Sequence, residues 1–324
     1  MRDLKALPKA HLHLHLEGGM RPGTLTELAD GYGVPVPQIR GFGSFSVFAS
    51  TYLAACDVLR TEADFGRLID ETLDDAVDSG AVWVEVAFHP AHHRPRFGTD
   101  EQIVEMVLAA LSSAAERTGV GAGLMVSADR TKPPADAVEL AKLAIAYADR
   151  GVVAFGLAND EVLGPPEPYA EAYAIARAGG LLSTPHAGEL CGPESIRGAL
   201  DALGADRIQH GVRSVEDPEL VRRLADEGVC LDVCPTSNLA LGVIEHMADH
   251  ALPALLDAGV PCSINADDPL LFGPGLLEEY QLCRDELGLD DDALARVATA
   301  SVEASAAPSE IRARALDGIT TWLA

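Results

Sequence analysis

A closed α/β barrel of the (β/α)8 type is the fold class this sequence predicts, and three observations carry it. Eight short apolar runs alternate with amphipathic stretches rich in Ala, Leu and Glu over 324 residues. That alternation belongs to a parallel sheet whose strands are joined by helices. Glu17-Gly18-Gly19 follows the first run, where an open doubly wound sheet would usually carry a Gly-rich phosphate turn. No repeat, low-complexity segment or linker interrupts the chain, so residues 1–324 read as one domain.

The first strand is expected over 9–16. After it, 22–80 is long enough for several helices. Within that insertion, Gly41-Phe42-Gly43-Ser44-Phe45-Ser46-Val47-Phe48 offers aromatics suited to a lid over the barrel mouth, or to ordinary helix packing. Strands follow at 81–88, 121–128, 152–158, 181–187, 207–211, 229–235 and 260–266, each short and rich in branched or apolar residues. Between them, 101–117, 135–150, 168–179 and 217–227 place apolar residues at helical spacing. Residues 285–324 predict further helices that close the outer layer.

Composition narrows the function. A formal net charge of −26, with only four lysines (Lys5, Lys9, Lys132, Lys142), argues against nucleic-acid binding and adhesion to anionic membranes, both of which need clustered cations. No stretch approaches a membrane span, and the first apolar run is broken by charged residues. The six cysteines, Cys56, Cys191, Cys230, Cys234, Cys262 and Cys283, are scattered, and Cys230 and Cys234 read as buried thiols. A reduced, cytoplasmic protein is the expectation, with a homo-oligomer left open.

The run Lys9-Ala10-His11-Leu12-His13-Leu14-His15-Leu16-Glu17 carries the chemistry. Side chains two apart on a strand share a face, so His11, His13, His15 and Glu17 line up while the leucines face the other way. Active sites of (β/α)8 barrels sit at the C-terminal strand ends. Reading those ends gives His13, His15 and Glu17, then Asn159-Asp160-Glu161, His186-Ala187-Gly188-Glu189, His210 and Asp267-Asp268. Imidazole and carboxylate ligands without paired thiolates suit zinc, with bonds of about 2.0–2.2 Å. His13, His15, His186 and Asp267 supply four ligands and leave a position for water, whose pKa a catalytic zinc lowers from ~15.7 towards ~7. His11 lies one pleat, about 6.6 Å, further from the strand end, which suits a supporting histidine inside the barrel. No lysine occurs between Val152 and Asp160 to bridge two metals. One zinc per chain follows.

Leu7-Pro8-Lys9, His13-Leu14-His15-Leu16-Glu17-Gly18, His186-Ala187-Gly188-Glu189, His210-Gly211, Val233-Cys234-Pro235-Thr236-Ser237-Asn238 and Asp267-Asp268-Pro269 occur in that order. Together they resemble the adenosine deaminase family of zinc-dependent amidohydrolases. The resemblance implies a (β/α)8 hydrolase that deaminates a 6-aminopurine nucleoside. It implies His13, His15, His186 and Asp267 as zinc ligands, with His15 also bordering the substrate. His210 would orient and deprotonate the attacking water, Glu189 would protonate N1, Asp268 would bond N7, and Glu17 would reach the ribose. A carboxylic acid aimed at N1 fits the chemistry, because attack at C6 places charge on N1, and the acid must be held protonated to serve.

Two positions depart from the family pattern. His11 stands where an acid is common, and Asn159 stands where a glycine offers its backbone N–H to purine N3. Substrate choice stays open at this point. Adenosine or 2′-deoxyadenosine comes first, then a 5′-modified adenosine such as aminodeoxyfutalosine of menaquinone biosynthesis, then free adenine. A catalytically silent zinc-binding barrel is the reading outside this class, and the intact Glu189 and His210 speak against it.

Overall fold

The computed structural model describes residues 1–39, 41–42 and 44–324. Eight parallel strands succeed one another in sequence order around one sheet: β1 (Lys9–His15), β2 (Ala81–Phe88), β3 (Gly121–Asp129), β4 (Val152–Ala158), β5 (Leu182–Ala187), β6 (Arg207–His210), β7 (Cys230–Val233) and β8 (Cys262–Ile264). Neighbours pair in parallel from β1–β2 through β7–β8. The predicted (β/α)8 barrel is the fold observed. The expected strands lie within a few residues of the observed ones, differing at their ends.

Closure between β8 and β1 is made largely by side chains. Asn265 Oδ1 accepts from the backbone N–H groups of Leu12 and His13 at 2.7 and 3.1 Å. Beyond it a parallel bridge pairs Leu14 with Asp267: His15 N–H donates to Asp267 O at 3.0 Å and Asp267 N–H to His13 O at 3.1 Å. His11, 5% exposed, accepts at Nε2 from Ala266 N–H (3.1 Å). It thus pins the segment that presents Asp267, the supporting place expected of it. Asn265 is held by Ser263, Ser263 by Asp232, and Asp232 with Glu85 by the buried Arg207 guanidinium. A buried charge persists in a core only when paired in this way.

The alternation expected through Glu17 stops early. β1 ends at His15, Leu16 takes helical backbone angles, and Glu17–Gly19 forms a single 3-10 turn. Leu16 N–H still bonds Ala87 O at 2.9 Å, so the chain leaves the sheet directly beneath the barrel mouth. The insertion holds helices Pro22–Tyr32, Phe45–Cys56 and Glu62–Ser79. The last opens with a reciprocal capping pair, Thr61 and Asp64, which satisfies two otherwise unpaired donors. Helices Leu276–Asp285, Asp291–Glu303 and Ser309–Leu323 complete the outer layer, and Ser301 Oγ accepts from Ala10 N–H of β1. Among the described residues, no helix is long and apolar enough to cross a membrane.

Candidate active site

The C-terminal strand ends open into a cavity of about 560 Å³ whose lining includes His15, Asn159, His186, Glu189, His210, Asp267 and Asp268. His13 lies just below, fully buried. Three non-glycine residues have positive φ among the described residues, Asn159 (81°), His210 (67°) and Asp267 (59°), and all three sit at this mouth. Such backbone is costly and persists where surrounding contacts enforce it, commonly at functional sites. Here it falls at the end of β6 and just past the ends of β4 and β8.

The donor atoms of His13, His15, His186 and Asp267 come close to one another at the cavity floor. His13 Nε2 lies 3.2 Å and His15 Nε2 3.3 Å from Asp267 Oδ1, and His15 Nε2 lies 3.3 Å from His186 Nε2. A tetrahedron with metal–ligand bonds of ~2.0–2.1 Å has edges of about 3.3–3.4 Å, which these three separations match. His13 Nε2 is buried without a hydrogen-bond partner, and its Nδ1 lies 3.2 Å from Asp232 O and 3.4 Å from Cys234 Sγ. Cys234 is thus a buried thiol beside a ligand ring, as its apolar run suggested. His210 also falls within 4.8 Å of His13, His186 and Asp267. Its Nε2 stands 3.8 Å from Asp267 Oδ2, while His15, grouped with Asp267 and Asp268, stands 3.3 Å from Asp267 Oδ1. The three imidazoles and one carboxylate match the donor chemistry of zinc.

His210 is held by a relay that sequence reading missed. Leu252 N–H donates to His250 Nδ1 (3.0 Å), which puts the His250 proton on Nε2, facing Asn238 Oδ1 at 3.1 Å. The Asn238 amide then turns its NH₂ to His210 Nδ1 (3.3 Å). Burial pushes His250 down to about 4 and, with the neighbouring His13 ring, His210 down to about 3, which favours the neutral form of both rings. Neutral imidazole has one donor and one acceptor nitrogen. With Nδ1 accepting, His210 Nε2 carries N–H into the cavity, 3.6 Å from Glu189 Oε1. Asn238 stood in the quoted Cys-Pro-Thr-Ser-Asn run, but nothing local tied it to His250.

Burial, and then the Asp267 carboxylate, push Glu189 well above the usual range, and the same two causes raise Asp268. That direction favours the acid form of each, the form that donates a hydrogen bond. The two Asp268 oxygens are buried without partners. They occupy space that only a glycine leaves: a Cβ on Gly18 would lie 1.9 Å from Asp268 Oδ1. Asn159 lines the cavity in a glycine-like conformation that Asn tolerates. Its Oδ1 folds back to accept from Asp160 N–H at 2.8 Å.

Glu17 is placed differently from the sequence expectation. Its carboxylate is fully buried and does not line the cavity. Oε1 lies 2.6 Å from His93 Nε2 and Oε2 accepts from Tyr52 OH at 2.7 Å. Burial alone would raise its pKa, but the His93 and Tyr52 bonds lower it to about 2. The turn at Leu16 rotates Glu17 out of the histidine row, and Tyr52 stands between it and the cavity. His89, His92 and His93 follow β2 closely. His89 and His92 face the cavity, where their nitrogens and an Asp129 oxygen lie within 4.8 Å of one another. That cluster of imidazoles was the local signal for a polar wall at this strand end.

Of the proposed aromatic lid, Gly43 lies outside the described residues. Phe45 and Phe48 line the cavity, and Phe48 stacks on Phe272 with ring centroids 5.3 Å apart.

The adenosine deaminase family model matches residues 8–322. The chain belongs to the adenosine deaminase family. A putative adenosine/adenine deaminase of Streptomyces virginiae is 46% identical, covering 99% of this chain and 98% of that protein. The crystal structure of an adenine deaminase from Arthrobacter aurescens superposes with a TM-score of 0.91 at 32% identity, over 98% of this chain and 99% of that one. An amidohydrolase from Burkholderia ambifaria with bound zinc gives a TM-score of 0.90 at 27% identity, over 99% of this chain and 92% of that one. Membership in this family of purine deaminases makes the protein a hydrolase acting on C–N bonds.

Proposed function

We propose that the protein hydrolytically deaminates a 6-aminopurine, with free adenine as substrate ahead of adenosine. One observation carries the choice of base over nucleoside: the Glu17 carboxylate, the group expected to meet a sugar, is already satisfied by His93 and Tyr52. The adenine deaminase among the similar structures supports the same order. His13, His15, His186 and Asp267 would hold one zinc, which when bound supplies water activated at neutral pH.

This chain's own groups do the rest. Protonated Glu189 gives its proton to N1 as C6 becomes tetrahedral, so the electron pair displaced from the C6–N1 double bond is neutralised where it develops. Asp268 donates to N7 and fixes the ring plane. In its tautomer His210 donates from Nε2 and orients the attacking oxygen. With the lone pair at Nδ1 engaged by Asn238, orientation rather than proton removal is its role. Collapse passes the proton of the new C6 hydroxyl to the amino group, so the C6–N bond breaks with ammonia as the leaving group and the 6-oxopurine keeps the proton at N1. The proton released when the next water is activated returns Glu189 to its acid form.

A second reading rests on the cavity itself. Its volume is in the range that encloses drug-sized ligands, well beyond a purine ring. Phe45, Phe48, Leu53, Leu163 and Leu241 line it, as does Lys132. These features suit a nucleoside with an apolar 5′ extension ending in an anion. A spectrophotometric screen comparing kcat/KM for adenine, adenosine and 5′-extended adenosines tests both readings. Adenine is expected to lead, and a clear preference for an extended nucleoside would replace the first reading with the second.

A further inference from the structure

The loop carrying Glu189 is tied down by a carboxylate to which neither the sequence pattern nor the chemistry above assigns a role. Glu161, three residues past β4 and 3% exposed, accepts four successive backbone N–H groups. Oε1 takes Gly188 N–H at 2.6 Å, and Oε2 takes those of Glu189, Leu190 and Cys191 at 3.1, 2.7 and 2.8 Å. Successive N–H groups converging on one point form an anion-binding nest. In this chain the nest is filled by the protein's own side chain.

We infer that Glu161 is the positioning residue of the proton donor: it acts through the backbone of 188–191 to aim Glu189 into the cavity, without itself touching substrate. The inference rests on the proposed role of Glu189. Three observations support it. First, the loop leaves β5 through Gly188 at φ +72°, where a Cβ would meet Ile196 Cδ1 at 2.3 Å, and it re-enters a helix after Gly192. The backbone on either side therefore has the freedom of glycine, and something else must fix it. Second, Glu161 reaches across from the β4 end, so the donor loop takes its position from the neighbouring strand. Third, the buried Arg130 guanidinium donates to His186 O and Gly164 O and lies close enough to feel the Glu161 charge. Arg130 and Glu161 thereby hold the segment from His186 to Cys191 at its two ends.

Glu161→Gln tests this while keeping the size of the side chain. An amide has one acceptor oxygen, and its NH₂ would face backbone donors, so part of the nest loses its partner. Amides 188–191 are expected to lose protection against hydrogen exchange while the barrel strands keep theirs. A misplacement of about 1 Å costs roughly 10²-fold in rate, so kcat should fall by that order with KM and metal content little changed. Glu161→Asp, charged but one methylene shorter, should restore part of kcat, and it carries the same readouts if the Gln variant does not fold. Near-normal kcat with rapidly exchanging 188–191 amides would overturn the inference, as would unchanged protection. A fall in kcat matched by an equal rise in KM would also overturn it. If instead Glu189→Gln retains turnover, the role of Glu189 fails, and the exchange result still reports whether Glu161 holds the loop.

Discussion

Replacing Gly18 by Ala probes the geometry that presents Asp268. Gly18 has no positive φ, so its backbone accepts an L side chain, and the cost is steric alone. The added Cβ would lie 1.9 Å from Asp268 Oδ1, 2.7 Å from Cγ and 2.9 Å from Cβ. Rotation about χ1 relieves the first two contacts but leaves the third, so the backbone beside Asp268 must also move. Overpacking of this kind costs about 1–3 kcal/mol of stability. Losing a hydrogen bond to a buried group that can carry charge costs about 1.5–3 kcal/mol, or roughly 10- to 150-fold in kcat/KM at 1.36 kcal/mol per decade. The assay is loss of purine absorbance on deamination, with metal content and melting temperature measured on the same preparation. A fall in kcat/KM within that range, with metal retained, is the expected outcome. Wild-type efficiency in a folded, metal-loaded Gly18→Ala protein would refute the claim that Asp268 must occupy that space to bind the ring.

Glu189→Gln should keep fold and metal but lose about 10²–10⁴ in kcat, the usual range for a general acid; near-normal turnover removes the residue from that role. Because burial and Asp267 raise the Glu189 pKa, the acid form persists below that raised value and is lost as pH rises through it. The alkaline limb of kcat against pH should therefore be absent from the Gln variant. Asn238→Ala cuts the relay from His250 to His210, and outer partners of this kind are typically worth 10–100-fold; unchanged kcat would show that the His210 tautomer is set by other means. Asp267→Ala should lower zinc content and turnover together, and elemental analysis of wild-type protein should give one equivalent. Two equivalents, with activity following the second, would rule out a single-metal site.

The fold was legible because each strand announces itself locally. Branched and apolar runs such as Ala81–Phe88, punctuated by capped helices, need no long-range information to be recognised. The positions of the proposed metal donors were legible for a related reason. Strand ends in a (β/α)8 barrel converge whatever their separation in sequence, so His13, His15, His186 and Asp267 could be brought together from topology alone. Glu17 shows where that reasoning stops. Alternation assigned it to the histidine face, but Leu16 adopts helical angles, and one rotated residue sends the next side chain behind Tyr52.

Burial, pairing and hydrogen-bond direction belong to tertiary structure, because they depend on which distant groups share an enclosed space. Asn238 and His250 are twelve residues apart, and only their contact sets the tautomer of His210. Glu161 is one acid among fifty acidic residues until four amides from the next strand end close upon it. The barrel, the order of its strands and the chemical types gathered at its mouth follow from residue type alone, on which periodicity and topology act. Which of those groups face the cavity, which are already satisfied, and which nitrogen bears the proton were decided only when the chain closed. Those properties are set by contacts between elements, and no local pattern encodes them.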